Sequence, residues 1–327
     1  MPLLTIAIPT YNRSIYLDLC LKRIQEEMES LSEDQRNLVK VYVSDNASLD
    51  DTPQVISRYQ LIAKGKFDTV RNAANIGAER NVAQCYSSAT TPYVWVLGDD
   101  DVIIQNGLQK VLDVLHAQEV DVLYVNNYWF TGDYSESLNQ SGKLGVSRYG
   151  SALKFARRTN VMLTFISALI ARTGVDLGLS SGVVVGSNLP QLGWLLPLLR
   201  DGRSFAYIED SVVAAKGSNS GGYELVKVFG YSLKKITDSI LKDRPEIAKA
   251  IQNGTIVNFF PKFIVDFRTG SNLFDDKEMA MGLKEVFAGN WRYHVFLFPL
   301  FVLPASVVSY YNCSLTVARR LFRSILV

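Results

Sequence analysis

Tyr93-Val94-Trp95-Val96-Leu97-Gly98-Asp99-Asp100-Asp101 reads as a short apolar strand that runs straight into three carboxylates. Its β-branched and aromatic residues suit a strand buried on both faces, and glycine followed by aspartates is a stop signal. Working back from it, residues 78–88 carry a helical pattern after the turn Asn75-Ile76-Gly77, and residues 67–70 form a weaker strand. Further back, residues 39–43 are a strand and residues 55–62 a helix, with Asp50 or Asp51 as N-cap and Pro53 in the first turn. Residues 4–8 open the chain as a strand, and Leu17, Leu21, Ile24 and Met28 then recur at helical spacing. Working forward, residues 108–115 predict a helix and 120–125 a strand. This alternation predicts an α/β fold, a parallel sheet covered by helices.

Beyond that the pattern changes. The polar stretch 131–147 predicts a loop or module boundary, 165–170 and 205–214 read as extended, 191–199 as helical, and the chain from 223 onward as mainly helical. The expected organisation is a nucleotide-binding half (1–130) and an acceptor half (131–222) in one domain. A helical C-terminal region (223–327) follows, ending in an apolar segment (293–327) suited to a membrane surface.

The 327 residues can bury a large core. A formal charge of +2, with basic residues scattered, argues against a nucleic-acid binder. Cys20, Cys85 and Cys313 lie far apart with no CxxC pair, which argues against a disulfide framework or a zinc site and for a reducing cytosolic setting. Met1-Pro2-Leu3-Leu4 runs into a strand with no export-signal pattern. Residues 295–311 are almost wholly apolar between Arg292 and the trio Arg319, Arg320 and Arg323, but Pro299 and Pro304 interrupt them. A span needs about 20 apolar residues. The expectation is therefore an interfacial anchor on the cytosolic face, with packing on the protein's own core or on a second subunit as the alternative.

In open α/β sheets, ligands bind beyond the carboxyl ends of the strands. Those ends here are Pro9-Thr10-Tyr11-Asn12-Arg13, Ser44-Asp45-Asn46-Ala47-Ser48 and Gly98-Asp99-Asp100-Asp101. Asp99 and Asp101, two apart on an extended segment, turn to one side and can share a hard cation such as Mg²⁺ or Mn²⁺, with a bound diphosphate completing the shell. A solvated acidic turn is the plain alternative. Asp45, Asn46 and Ser48 can hydrogen-bond a nucleoside or simply cap the next helix. Arg13, Arg71 and Arg80 can reach a diphosphate or stand exposed.

Taken together and in order, these three strand ends, with Asn75-Ile76-Gly77 and Arg80-Asn81, resemble family 2 glycosyltransferases over the first third of the chain. The resemblance implies the GT-A (Rossmann-like) nucleotide-diphospho-sugar transferase fold, a nucleoside diphosphate sugar donor and Mg²⁺ or Mn²⁺. It places Pro9, Thr10, Tyr11 and Arg13 in the nucleotide pocket and Asp45, with Asn46, at the base. It puts Asn75, Gly77, Arg80 and Asn81 near the ribose and diphosphate, and Asp99, Asp100 and Asp101 at the metal and diphosphate, with Asp99 and Asp101 as metal ligands. The rest of the chain is similar to the bacterial branch that builds lipopolysaccharide or capsule units, abequosyltransferase-like proteins included. That implies a saccharide acceptor, lipid-linked at the inner membrane.

One departure concerns the general base. Many members carry a Glu-Asp pair before a helix in the second half, but here that helix begins Pro190-Gln191-Leu192-Gly193-Trp194. Glu209-Asp210 is the nearest carboxylate pair and the candidate base; a turn at a strand end is its plain reading. Gln191 and Trp194 are candidate acceptor contacts, an amide for hydroxyls and an aromatic face for the sugar ring, although Trp194 also suits a core. Residues 216–223 have the composition of a lid that would carry Lys216 to the diphosphate, or of an ordinary connector. Three rivals remain at this level: a pocket that binds but does not react, an assembly component acting through its tail, and a metal-dependent phosphohydrolase.

Overall fold

The computed structural model describes residues 1–63, 66–132, 134, 145–175, 182–217, 225–269 and 279–321. Its contacts divide the chain into two compact units. The first comprises Met1–Ser151, Phe165–Leu177 and Asp201–Gly217; the second comprises Ala152–Thr164, Gly178–Arg200 and Ser218–Val327.

The first unit is built on one sheet. Its strands are β1 (Leu4–Thr10), β2 (Val39–Asp45), β3 (Phe67–Arg71), β4 (Tyr93–Val96), β5 (Val102–Ile103), β6 (Val122–Phe130), β7 (Val146–Tyr149), β8 (Leu169–Arg172) and β9 (Phe205–Lys216). The spatial order is β3-β2-β1-β4-β8-β6-β9-β5, with β7 paired to β9. The β3-β2-β1-β4 half is parallel, as expected. The other half is not: β8 runs antiparallel to both β4 and β6, and β5 and β7 run antiparallel to β9. Buried strands of either sense carry the same continuous apolar runs, so strand direction leaves no mark in the residues themselves.

Helices α1 (Ser14–Ser30), α2 (Glu33–Arg36), α3 (Thr52–Ile62), α4 (Ala78–Ser87) and α5 (Gly107–Ala117) accompany this sheet. Leu17, Cys20, Leu21 and Ile24 are buried along one face of α1. Asp51 occupies the N-cap position of α3 without a side-chain bond; Asp50 caps instead, accepting from the backbone N–H of Thr52 (3.0 Å) and of Ser14 (3.0 Å). One carboxylate thus serves the first turns of two helices. Glu27, 3% exposed, plays a similar part at α5, accepting from the N–H groups of Asn106 (3.0 Å) and Leu108 (3.1 Å).

Two expectations need correction here. Within 165–170, residues Ile166–Ala168 form a 3-10 turn, and only then does β8 begin. The turn exists because Ser167 faces β4, its carbonyl accepting from the Trp95 indole (2.8 Å) and its hydroxyl from the Gly98 N–H (2.9 Å). The expected loop 131–147 already contains the start of β7; residues 133 and 135–144 of it lie outside the described residues.

The second unit is helical: α6 (Ala152–Thr159), α7 (Leu192–Asp201), α8 (Leu233–Ile240), α9 (Pro245–Gly254), α10 (Phe260–Arg268), α11 (Met279–Phe287), α12 (Phe298–Val302) and α13 (Ala305–Leu321), with π-helical segments at Val226–Ser232, Thr255–Phe259 and Tyr293–Leu297. Contacts rather than chain order draw the division. Residues 152–164 and 178–200, assigned by the sequence to the acceptor half, cluster with the C-terminal helices, and α6 packs on α9. Gly254 ends α9 where only glycine fits, since a Cβ there would fall 2.2 Å from the Asn160 Cβ. Pro304 separates α12 from α13, and Arg268 donates to the carbonyl of Phe301 in α12 and to that of its C-cap, Leu303 (2.8 Å to the latter). No helix among the described residues is long and apolar enough to cross a membrane.

Candidate active site

Parallel pairing brings the ends of β1 and β2 level, Thr10 opposite Asp45, and sets β4 beside β1, so that its chain continues into Asp99, Asp100 and Asp101 at the same edge. Thr10 donates its hydroxyl proton to Asp99 Oδ2 (2.7 Å). Arg13 closes on the carboxylates from α1's side: Nη2 donates to Asp100 Oδ2 (2.6 Å) and Nε stands 3.1 Å from Asp99 Oδ1. The latter contact is close enough for an ion pair but not aligned for a hydrogen bond, and Nε is left with an unused N–H. Tyr16 lies under the guanidinium, 4.8 Å from ring centroid to Cζ.

Asp101 is held differently. Its Oδ1 accepts from the backbone N–H of Lys216 on β9 (2.8 Å), and the Ser167 hydroxyl bonds the same carboxylate. Both donors are neutral, and no basic side chain among the described residues pairs with it. Asp99 and Asp101 are each 5% exposed, and burial pushes both carboxyls up to about 7. For Asp99 the Arg13 charge and the Thr10 hydrogen bond pull the other way without cancelling the loss of hydration.

The loop after β2 is rigidly laid out. Asp45, 1% exposed, uses Oδ1 to accept from the Ser48 N–H (2.9 Å); Oδ2 is 3.5 Å from Arg71 Nε and accepts no hydrogen bond. The loops after β1 and β2 interlock, Asn12 N–H to Ser48 Oγ (2.9 Å) and Leu49 N–H to Asn12 Oδ1 (2.7 Å), with Asn12 and Ala47 both left-handed at φ 53° and 65°. Asn46 donates to Asn75 Oδ1 (2.8 Å) and accepts from the Asn72 amide (3.1 Å) and the Ile76 N–H (2.9 Å). Asn81, 3% exposed, accepts from Ser44 Oγ (2.6 Å) and donates to Ser44 O (3.1 Å). Asn46 and Asn81 therefore brace the loops from inside, whereas Tyr11, Asn75, Gly77 and Arg80 are exposed and Pro9 is half-buried. Gly77 takes φ 88° to turn the chain into α4, and Arg80 makes no ion pair among the described residues.

Other candidates have partners of their own. Glu209 and Asp210 are not at a strand end but form a bulge within β9, between the pairs Val125↔Ile208 and Asn126↔Ser211. Glu209 accepts from the Ser147 hydroxyl (2.7 Å); Asp210 accepts from the Gly145 N–H (3.0 Å) and faces Lys110 at 4.0 Å. Six residues of strand, roughly 20 Å, separate Asp210 from Lys216, too far for a base acting beside Asp101. Trp194, 2% exposed, belongs to the core of the second unit, and the buried Gln191 amide donates to the Thr164 carbonyl. Lys216 touches the site through its backbone, while its ammonium rests 5.0 Å over the Phe130 ring; residues 218–223 of the expected lid lie outside the described residues. Ser167 was not foreseen, because a serine 69 positions from Gly98 has no spacing signal. A cavity of about 400 Å³ is lined by Leu21, Ile24, Val41, Tyr59 and Phe67 and by none of these carboxylates.

Comparison with known proteins bears on the family and the fold. The model of the family described as Glycosyl transferase family 2 matches residues 5–172. A 116-residue stretch is 32% identical to the abequosyltransferase RfbV of Salmonella typhimurium, covering 36% of this chain and 33% of that protein, so the chain matches only about a third of this relative's length. Among solved structures, S. aureus TarS 1-349 superposes with a TM-score of 0.57 at 15% identity, covering 97% of this chain and 91% of that one. The same protein in complex with UDP-GlcNAc gives 0.57 at 15% over 96% and 89%. The mannosyltransferase PcManGT from Pyrobaculum calidifontis, in complex with GDP-Man and Mn²⁺, gives 0.53 at 14% over 98% and 87%. At such identities the superpositions establish the fold, which is the GT-A fold with a helical C-terminal region.

Proposed function

This chain belongs to glycosyl transferase family 2, and from that membership we propose that it moves one sugar from a nucleoside diphosphate donor to a saccharide acceptor in the synthesis of a bacterial surface polysaccharide. The observation that carries the reading is a set of under-compensated groups along one sheet edge: Asp101, a buried carboxylate held by two neutral donors with no basic partner among the described residues, and Arg13 Nε and Asp45 Oδ2, both buried without a hydrogen bond. Buried polar atoms left unpaired call for an explanation, and a ligand that supplies the missing partners is the economical one. Asp45 Oδ2 offers an acceptor to a base N–H, and the Arg13 Nε–H offers a donor to a phosphate oxygen.

The residues also fit a hard dication. Asp99 and Asp101 present oxygen ligands in a desolvated place where uncompensated negative charge is costly. Among the described residues no three acidic, histidine or cysteine side chains converge, so the remaining ligands would come from the donor's diphosphate and water. A Mg²⁺ or Mn²⁺ ion held by Asp99 and Asp101 would supply Lewis-acid assistance to the departing nucleoside diphosphate. The chain itself orients this apparatus: Thr10 and Arg13 fix Asp99, Arg13 ties down Asp100, and Ser167 with the Lys216 N–H fixes Asp101.

The acceptor is proposed to be lipid-linked, met at the cytosolic membrane face. Trp291, Phe298, Val302 and Tyr310 are exposed in the C-terminal segment, and apolar residues flanked by arginines suit an anionic lipid interface. Flotation with vesicles containing phosphatidylglycerol should recover the chain, and recovery no better than with neutral vesicles would remove this part. The test of the whole is a thermal-shift panel of UDP, GDP, CDP and dTDP, each with and without Mn²⁺. Metal-dependent stabilisation by one of them is expected; no shift with any would overturn the transferase reading.

A further inference from the structure

Trp129 is 57% exposed on β6, an unusual place for the largest side chain. Its neighbours Tyr128 and Phe130 point to the other face of the strand, where they pack with Val102, Ile104 and Ala214. Trp129 is not loose, however. Its ring lies 5.1 Å from that of Phe165 at an interplanar angle of 46°, so the two rings form an angled aromatic corner.

Both edges of this corner are tied to the carboxylate site. On one side Trp129 pairs in register with Ala215, and the next residue, Lys216, donates its N–H to Asp101 Oδ1. On the other side Phe165 precedes the turn Ile166–Ala168, whose Ser167 hydroxyl bonds both the Gly98 N–H and Asp101. The aromatic pair thus lies close in the chain to both groups that grip Asp101: Trp129 pairs across the sheet with the residue before Lys216, and Phe165 is two residues before Ser167. The geometry points to this corner as the saccharide acceptor platform, with Trp129 stacking on the apolar face of a pyranose ring whose hydroxyl is presented towards Asp101. An exposed indole with a fixed orientation binds a sugar face at small entropic cost, and its placement selects which hydroxyl meets the donor. This rests on the transferase reading for the identity of its ligand, and it replaces Trp194, which the core has consumed.

The test uses the full chain and saturation-transfer NMR with the methyl glycosides of mannose, galactose, rhamnose and N-acetylglucosamine, each with and without Mn²⁺ and the stabilising nucleoside diphosphate. At least one glycoside should bind wild type, and Trp129→Leu should weaken it by roughly tenfold. Trp129→Phe should recover most of the loss, and nucleotide affinity should stay within about twofold in both variants. Because Trp129 is exposed, neither change should disturb folding. If no glycoside binds wild type, or if binding survives Trp129→Leu together with Phe165→Leu, the platform is refuted even though the nucleotide still binds. If no nucleotide binds, the transferase reading falls, and the glycoside titration still gives its own answer about the corner.

Discussion

Replacing Asp101 with asparagine should make the metal-free protein more stable at pH 8 while abolishing transfer. In the folded chain burial lifts the Asp101 carboxyl to about 7, against an ordinary 3.8. Between those values the native state keeps a proton that the unfolded chain gives up. The contribution of Asp101 to stability is therefore fully present below pH 3.8 and is lost as pH rises to about 7, on the order of 4 kcal/mol in all. Asparagine does not titrate, and its Oδ1 still accepts the Lys216 N–H. Urea melts of wild type and Asp101→Asn in the presence of chelator should nearly coincide at pH 4 and separate in favour of the variant as pH rises. At pH 8 the gap should approach about 4 kcal/mol, or roughly 10 °C in Tm. Adding Mn²⁺ with the stabilising nucleotide should reverse the order, since only wild type gains ligand-linked stability. A gap that stays constant from pH 4 to pH 8 would refute the claim that Asp101 is a buried charge awaiting a cation.

Other consequences are as specific. Glu209→Gln and Asp210→Asn should each leave kcat within about threefold, since both side chains are engaged by Ser147, Gly145 and Lys110; a hundredfold loss in steady-state assays would restore them as the base. Trp194→Ala should cost about 3–5 kcal/mol of stability in denaturant melts without a selective rise in acceptor KM. Glu27→Ala should cost about 3 kcal/mol by orphaning the N–H groups of Asn106 and Leu108, with Glu27→Gln losing less by the same melts.

What the sequence disclosed was local. The run from Tyr93 to Asp101, the ends of β1 and β2, and the helices between them are each decided within about ten residues, by apolar period and turn chemistry. Contacts made across the chain left no such trace. Ser167 reaches Asp101 only because β8 returns antiparallel beside β4, and nothing in its neighbours announces this. Glu209-Asp210 looked like a strand end because a polar pair interrupts an apolar run; a bulge interrupts it in the same way and lets the strand continue. Of the two readings open for Trp194, acceptor contact or core, its burial favours the core, and its helix is apolar on every side from Leu192 to Leu199, the mark of a helix buried all round.

Asp50 and the hydrogen bonds linking Asn12, Ser48 and Leu49 make the loops after β1 and β2 a single mechanical part. A chimaera that imports only one of them from a relative would leave unmatched donors at the start of α1, one residue from Arg13. If these loops hold the sugar donor as proposed, re-engineering its preference should require changing residues 10–14 and 46–52 as one block. Substitutions there should be strongly non-additive, harmful singly and tolerated in pairs.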